Sequence, residues 1–233
     1  MRRAIGLLAL VSLFVVPTAT GRQDQDYCAK PGDVPVHLEA SDGADIYGLE
    51  IGKGATGVVF GHQFLSDHCE WVDFARRLAR NGFRTLSIDF RGNGDSHVNG
   101  GSGIRLDRDI AAAVARLRSE GATKIKLVGA SMGGTAVLVA ASNITPAVDG
   151  VVSLSGPASY NGLDALRAVK RSHVPVRFLV ARGDIRFAND ATTLMKAAAA
   201  HDKAILRYGG AAHGSSLLGL PGASAYVTRF LRR

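Results

Sequence analysis

The chain has 233 residues, of which 46% are hydrophobic and 21% charged, a balance that excludes wholesale disorder and leaves room for one domain. Its 28 glycines follow no three-residue period, and two cysteines are too few for a disulfide scaffold or a four-cysteine zinc site, so no metal and no cofactor is expected. A formal net charge of +8 allows loose attraction to anionic surfaces, but no basic stripe is interleaved with aromatics, so no nucleic-acid partner is expected. Arg76, Arg77, Arg80 and Arg84 read instead as a solvated helix face.

The chain opens on Met1-Arg2-Arg3, an apolar run from Ala4 to Val16 broken only by Ser12, and small residues from Thr18 to Gly21. This is the layout of a secretory signal peptide over residues 1–21, with residues 22–233 as a single domain. The run is shorter than the roughly 20 residues of a bilayer span, so no stable membrane insertion is expected after cleavage. A secreted or periplasmic destination follows, and in an oxidising compartment Cys28 and Cys69 are expected to pair, with two free thiols as the other reading.

A leading hairpin is expected over Val36–Ile51, turning near Asp42-Gly43. Strand candidates follow at Gly57–Phe60, Thr85–Ile88, Lys124–Val128, Val151–Leu154, Val176–Val180 and Ala204–Leu206. Between them, helical spacing of apolar residues marks Trp71–Asn81, Asp107–Glu120, Thr135–Ala141, Asp190–Ala200 and Ala223–Leu231. Strands and helices in succession predict an α/β fold, a mainly parallel sheet flanked by helices on both faces.

One strand-turn-helix carries chemistry. In Lys124-Ile-Lys-Leu-Val-Gly129-Ala-Ser131-Met-Gly133-Gly134 a strand runs into a helix with Ser131 at the corner and a glycine two residues to either side. Small residues leave space around a strained corner, which lifts the hydroxyl above the carboxyl end of the sheet. The segment Asp89-Phe-Arg91-Gly92-Asn-Gly94-Asp-Ser96 is similar to the loop that follows the preceding strand in many α/β-hydrolases. With both segments in order, the chain resembles the α/β-hydrolase family, in particular small serine esterases and dienelactone-hydrolase-like members.

That resemblance implies the chain order nucleophile, acid, histidine. Beyond Ser131 there is no glutamate; the aspartates are Asp149, Asp164, Asp184, Asp190 and Asp202, and the histidines His173, His201 and His213. Active groups of an open α/β sheet lie beyond the carboxyl ends of its strands. Asp184 and His213 follow strands, whereas Asp149, Asp202, His173 and His201 precede them, and Asp164 and Asp190 read as helix starts. The expected triad is Ser131, Asp184 and His213, without a metal.

The oxyanion needs two backbone donors. Met132, after the nucleophile, is one; in Gly61-His62-Gln63-Phe64 the alignment gives Phe64 as the other, with Gln63 as the alternative. His62 reads as a buried residue bonding loop backbone. Ser155–Pro175 has room for one short helix and no cap domain, which predicts an open pocket lined by Gln63, Leu65, Tyr160 and Leu217. The expected function is cleavage of short-chain acyl esters, thioesters or lactones through an acyl-enzyme, with a small-molecule ester as partner and a monomer as default. A peptidase or acyltransferase using the same triad, or a non-catalytic binding protein on this fold, are the alternatives.

Overall fold

The computed structural model describes residues 26–98 and 103–233; the expected leader and its cleavage point lie outside the described residues. A hairpin leads, β1 (Val34–Glu39) with β2 (Asp45–Ile51), followed by β3 (Thr56–Gly61), the 3₁₀ turn η1 (His68–Trp71) and α1 (Val72–Ala79). Then come β4 (Phe83–Ile88), α2 (Leu106–Ser119), β5 (Lys124–Ala130), α3 (Met132–Asn143) and β6 (Gly150–Leu154). A two-residue-strand hairpin, β7 (Ser159–Tyr160) and β8 (Leu163–Asp164), precedes α4 (Ala165–Arg171), β9 (Val176–Ala181) and α5 (Ile185–Ala197). The chain closes with β10 (Lys203–Tyr208), the 3₁₀ turn η2 (Gly214–Gly219) and α6 (Ala223–Leu231).

Eight strands form one sheet in the order β1-β2-β4-β3-β5-β6-β9-β10. Within this sheet only β2 runs against its neighbours; β4, β3, β5, β6, β9 and β10 are parallel, as the alternation of elements predicts. Strand burial follows position. The inner strands β3, β4, β6 and β9 are covered on both faces and buried almost throughout, polar residues such as Arg84, Thr85 and Arg177 included, whereas edge strand β1 alternates exposed and buried residues. One face of the sheet packs a core with α2, α3, α4 and α5, the other with α1, α6 and η2.

From β3 the chain steps to β4 on one side through α1, then crosses back through α2 to β5 on the other side. The chain therefore reverses its direction across the sheet at β3, the point beside which open α/β sheets place their sites, beyond the carboxyl ends of the strands. Among the described residues no cap domain covers this edge.

Three sequence expectations need correction. Arg84 is not on a solvated face: it lies on β4, is 9% exposed, and pairs with Glu50 and Glu120. α5 begins at Ile185, so Asp190 sits inside the helix; Phe187, Ala188, Ala191 and Leu194 share its inward face at helical spacing. The interval before β9 holds the β7–β8 hairpin as well as α4.

Candidate active site

Ser131 sits between the end of β5 and the first turn of α3 with φ 47° and ψ −115°, a conformation that L residues rarely adopt. Its backbone is held there, since Ser131 N–H donates to Leu154 C=O on β6 and Thr135 N–H donates to Ser131 C=O. The flanking glycines are needed for packing. A Cβ on Gly129 would run into the Gly133 carbonyl; one on Gly133 would run into Gly61 and lie 2.7 Å from His62 O. Gly133 thus lets the corner lie directly against the loop leaving β3.

The histidine and its carboxylate meet on the same edge. His213, between β10 and η2, donates from Nδ1 to Asp184 Oδ2 at 2.8 Å, and Ser155 Oγ donates to that same oxygen at 2.8 Å. Asp184 follows β9, and Ser155, with φ 49°, follows β6, so three neighbouring strand ends supply the group. Phe187 packs on the imidazole with ring centroids 4.3 Å apart. His213 Nε2 makes no hydrogen bond to protein among the described residues. Its chain neighbour Gly214 faces the residue before Ser131, since a Cβ added there would lie 3.5 Å from Ala130 Cβ. Ser155 and Phe187 were not expected from the sequence, because both read as ordinary polar and core residues.

The loop after β3 is fixed by two groups. His62 is fully buried, accepts from Phe90 N–H at Nε2 (3.0 Å) and donates from Nδ1 to Gln63 C=O (2.7 Å). Burial lowers its pKa, and one acceptor plus one donor is the pattern of a neutral ring, so the backbone-bonding role expected for it fits. Gln63 is corrected as an oxyanion donor: its N–H donates to Glu70 Oε2 at 2.9 Å. Glu70, on η1, carries no sequence signal for this role, since it precedes the nucleophile and lies seven residues from the amide it binds. Burial raises its pKa, and its Oε1 has no partner among the described residues. Phe64 and Leu65 extend from this loop, 59% and 86% exposed, with Leu65 at φ 61°. Met132 N–H, in the first turn of α3, belongs to the donors that a helix leaves without an internal partner.

Of the expected pocket residues, Gln63 turns its side chain toward Gly214, and Tyr160 packs half-buried in the β7–β8 hairpin. Leu217 is corrected: it is fully buried in the core under α6 and offers no surface to a ligand. The aspartates set aside do other work. Asp149 accepts from Ile125 N–H at the opposite end of β5, Asp164 caps α4, and Asp202 pairs with Arg177.

The glycine loop after β4 is organised by its own first residue. Asp89 accepts from His68 N–H, His68 Nδ1 and Asp95 N–H, while Ser96 Oγ donates to Asp89 C=O. A side chain on Gly94 would collide with the Asp89 carboxylate. Arg91 of the loop pairs with both Asp42 and Asp109, tying the leading hairpin to α2. Cys28 and Cys69 are bonded, with Cα atoms 5.8 Å apart.

An alpha/beta hydrolase fold family model matches residues 57–215, and the chain belongs to that family. Among solved structures it is similar to an esterase of Pyrococcus furiosus, with a TM-score of 0.72 at 18% identity over 86% of this chain and 90% of that one. It is also similar to an esterase of Exiguobacterium antarcticum, with a TM-score of 0.69 at 15% identity over 86% of this chain and 100% of the other. A dienelactone hydrolase of Anabaena variabilis aligns with a TM-score of 0.66 at 23% identity over 84% and 93% of the two chains. No curated protein matches the chain.

Proposed function

We propose that this protein is an exported serine hydrolase that cleaves carboxylic esters. The observation that carries this reading is the His213–Asp184 hydrogen bond at the sheet edge that also bears the strained Ser131 corner. In this reading His213 Nε2 takes the Ser131 proton as Oγ attacks the carbonyl carbon, then returns it to the departing alkoxide. Asp184 fixes the Nδ1–H tautomer and stabilises the imidazolium. Ser155 holds the carboxylate in line by occupying part of the same oxygen. Met132 N–H and Phe64 N–H receive the oxyanion, and the acyl-enzyme is released by water activated at His213. Exposed Phe64 and Leu65 on the loop leaving β3, and exposed Ile185 next to Asp184, offer apolar surface to a short acyl group. The basic, apolar start of the chain and the Cys28–Cys69 bond support export.

The test is hydrolysis of nitrophenyl acetate, butyrate and palmitate by the mature chain and by Ser131→Ala. Short-chain turnover that falls by at least about 10³-fold in the variant is expected. Equal rates in both proteins, or fluorophosphonate labelling of a residue other than Ser131, would refute the assignment.

A further inference from the structure

Asp26, Cys28, His68 and Cys69 bring their ligand-capable atoms within 4.8 Å of one another. The cysteine count excludes a four-cysteine zinc site but not this mixed set, which comes together only when the start of the domain folds against η1. His68 Nε2 lies 3.5 Å from Cys28 Sγ, 3.3 Å from Cys69 Sγ and 2.9 Å from Asp26 Oδ2. Asp26 Oδ1 lies 3.1 Å from Cys28 Sγ and 3.7 Å from Cys69 Sγ, facing sulfurs that carry no proton while they are bonded to each other.

These separations are near those of a tetrahedral zinc shell. Zinc–ligand bonds of about 2.3 Å to sulfur and about 2.0–2.2 Å to nitrogen and oxygen give edges of about 3.6 Å between sulfur and either light atom. The nitrogen–oxygen edge is about 3.4 Å and the sulfur–sulfur edge about 3.8 Å. With Asp26 Oδ1 as the ligand oxygen, the two nitrogen–sulfur and two oxygen–sulfur edges are within roughly 0.5 Å of their zinc values, the imidazole contacts the other carboxylate oxygen, and the sulfur–sulfur edge must open. The outer shell is also in place: His68 Nδ1 sits 2.9 Å from Asp89 Oδ1, the carboxylate contact that aims the opposite ring nitrogen of a metal-bound histidine. Cys28 and Cys69 line a groove of about 590 Å³ with Tyr27, Lys30, Ser66 and Asp67, and the Asp26 and His68 side chains lie behind them, 4% exposed each.

We propose that reduction of the Cys28–Cys69 bond turns this cluster into a zinc site ligated by both sulfurs, His68 Nε2 and the Asp26 carboxylate. A small dithiol supplies two electrons and two protons, leaves as its own disulfide, and frees two thiols. Zinc displaces the proton of each thiol and the Nε2 proton shared with Asp26; all three pass to solvent. The metal then holds residues 26–28 against η1 as the disulfide did. This is independent of the chemistry at Ser131, and its readout requires no turnover.

The experiment uses the full exported chain, reduced with a phosphine and then given zinc or cobalt(II), with the fold followed by circular dichroism. One zinc per reduced chain is expected after gel filtration, with none on the oxidised chain. Cobalt should give the intense visible bands of a tetrahedral ion and a thiolate charge-transfer band. Cys28→Ser/Cys69→Ser should retain no zinc, and Asp26→Asn should weaken binding by at least about 10-fold. If reduction loosens the fold, zinc should restore it. The proposal is overturned by a folded reduced chain without zinc, or by an unfolded one that zinc does not rescue. Equal zinc on the oxidised chain or on the double serine variant overturns it as well.

Discussion

Gly133→Ala isolates the contact between the Ser131 corner and the loop after β3. The new Cβ would lie 2.6 Å from the Gly61 carbonyl carbon and 2.7 Å from His62 O, both backbone atoms that no side-chain rotation can move aside. Carbon atoms pack best at about 3.5–4.0 Å, so the loop must retreat by nearly 1 Å. The oxyanion donors proposed at Phe64 and Met132 stand on opposite sides of this contact and would separate by a similar distance. A misplacement of about 1 Å costs about 100-fold in rate, or about 2.7 kcal/mol of transition-state stabilisation. Stability should change less. Overpacking costs about 1–3 kcal/mol, and alanine regains up to about 1 kcal/mol over glycine inside a helix. The assay is kcat/KM on nitrophenyl acetate beside urea unfolding. Gly121→Ala is the control: Gly121 has φ +89° with no atom within 4 Å of its Cβ position, so it should lose about 1 kcal/mol of stability and no activity. Wild-type kcat/KM in folded Gly133→Ala, or equal rate losses in both variants, would refute the reasoning.

Glu70→Ala should lower kcat by about 10-fold by freeing Gln63 N–H and loosening the donor loop, while Glu70→Gln, which keeps an acceptor, should recover most of the rate; equal kinetics in the two variants would remove Glu70 from the loop's support. Replacing both cysteines by serine should lower the unfolding free energy by up to about 4 kcal/mol, the chain-entropy value for a closed loop spanning 41 residues, and an unchanged urea midpoint would deny the bond any such role. Hydrogen bonding from Arg91 holds the Asp42 carboxyl down at about 2, against an ordinary 3.8. A depressed pKa adds stability above the ordinary value and loses it as pH falls through the lowered one. Wild type should therefore lose stability between about pH 4 and pH 2 more steeply than Asp42→Asn, and parallel curves would sever the pair from acid unfolding.

The sheet and its helices were legible because inner strands such as Val176–Ala181 are mostly apolar, with Arg177 the one charged residue, and α2 carries a clear inward stripe. The corner at Ser131 was legible because its glycines answer a local steric demand that spacing alone conveys. Boundaries failed where tertiary packing decides: α5 starts five residues early because Ile185–Asn189 follow Asp184 straight off the strand. The β7–β8 hairpin did have a signal, Asn161-Gly162, whose φ values of 43° and 88° suit a two-residue turn. Leu217 and Glu70 carried none. Whether a leucine faces core or cleft, and whether a glutamate seven residues on turns back to an amide, depends on a 3₁₀ turn that hydrophobic periodicity does not encode.

The leading hairpin occupies a sheet margin, where strands usually fray first. Here it is riveted at three separate points: β2 to β4 along the ladder, Asp42 to Arg91 at its turn, and Asp26 with Cys28 to η1 just before it. Detaching it would strand the Arg91 guanidinium beside Asp109 with half its partners gone. Amide hydrogen exchange in this margin should accordingly be slow and rise in step with the central strands, so that the periphery opens only when the whole domain does.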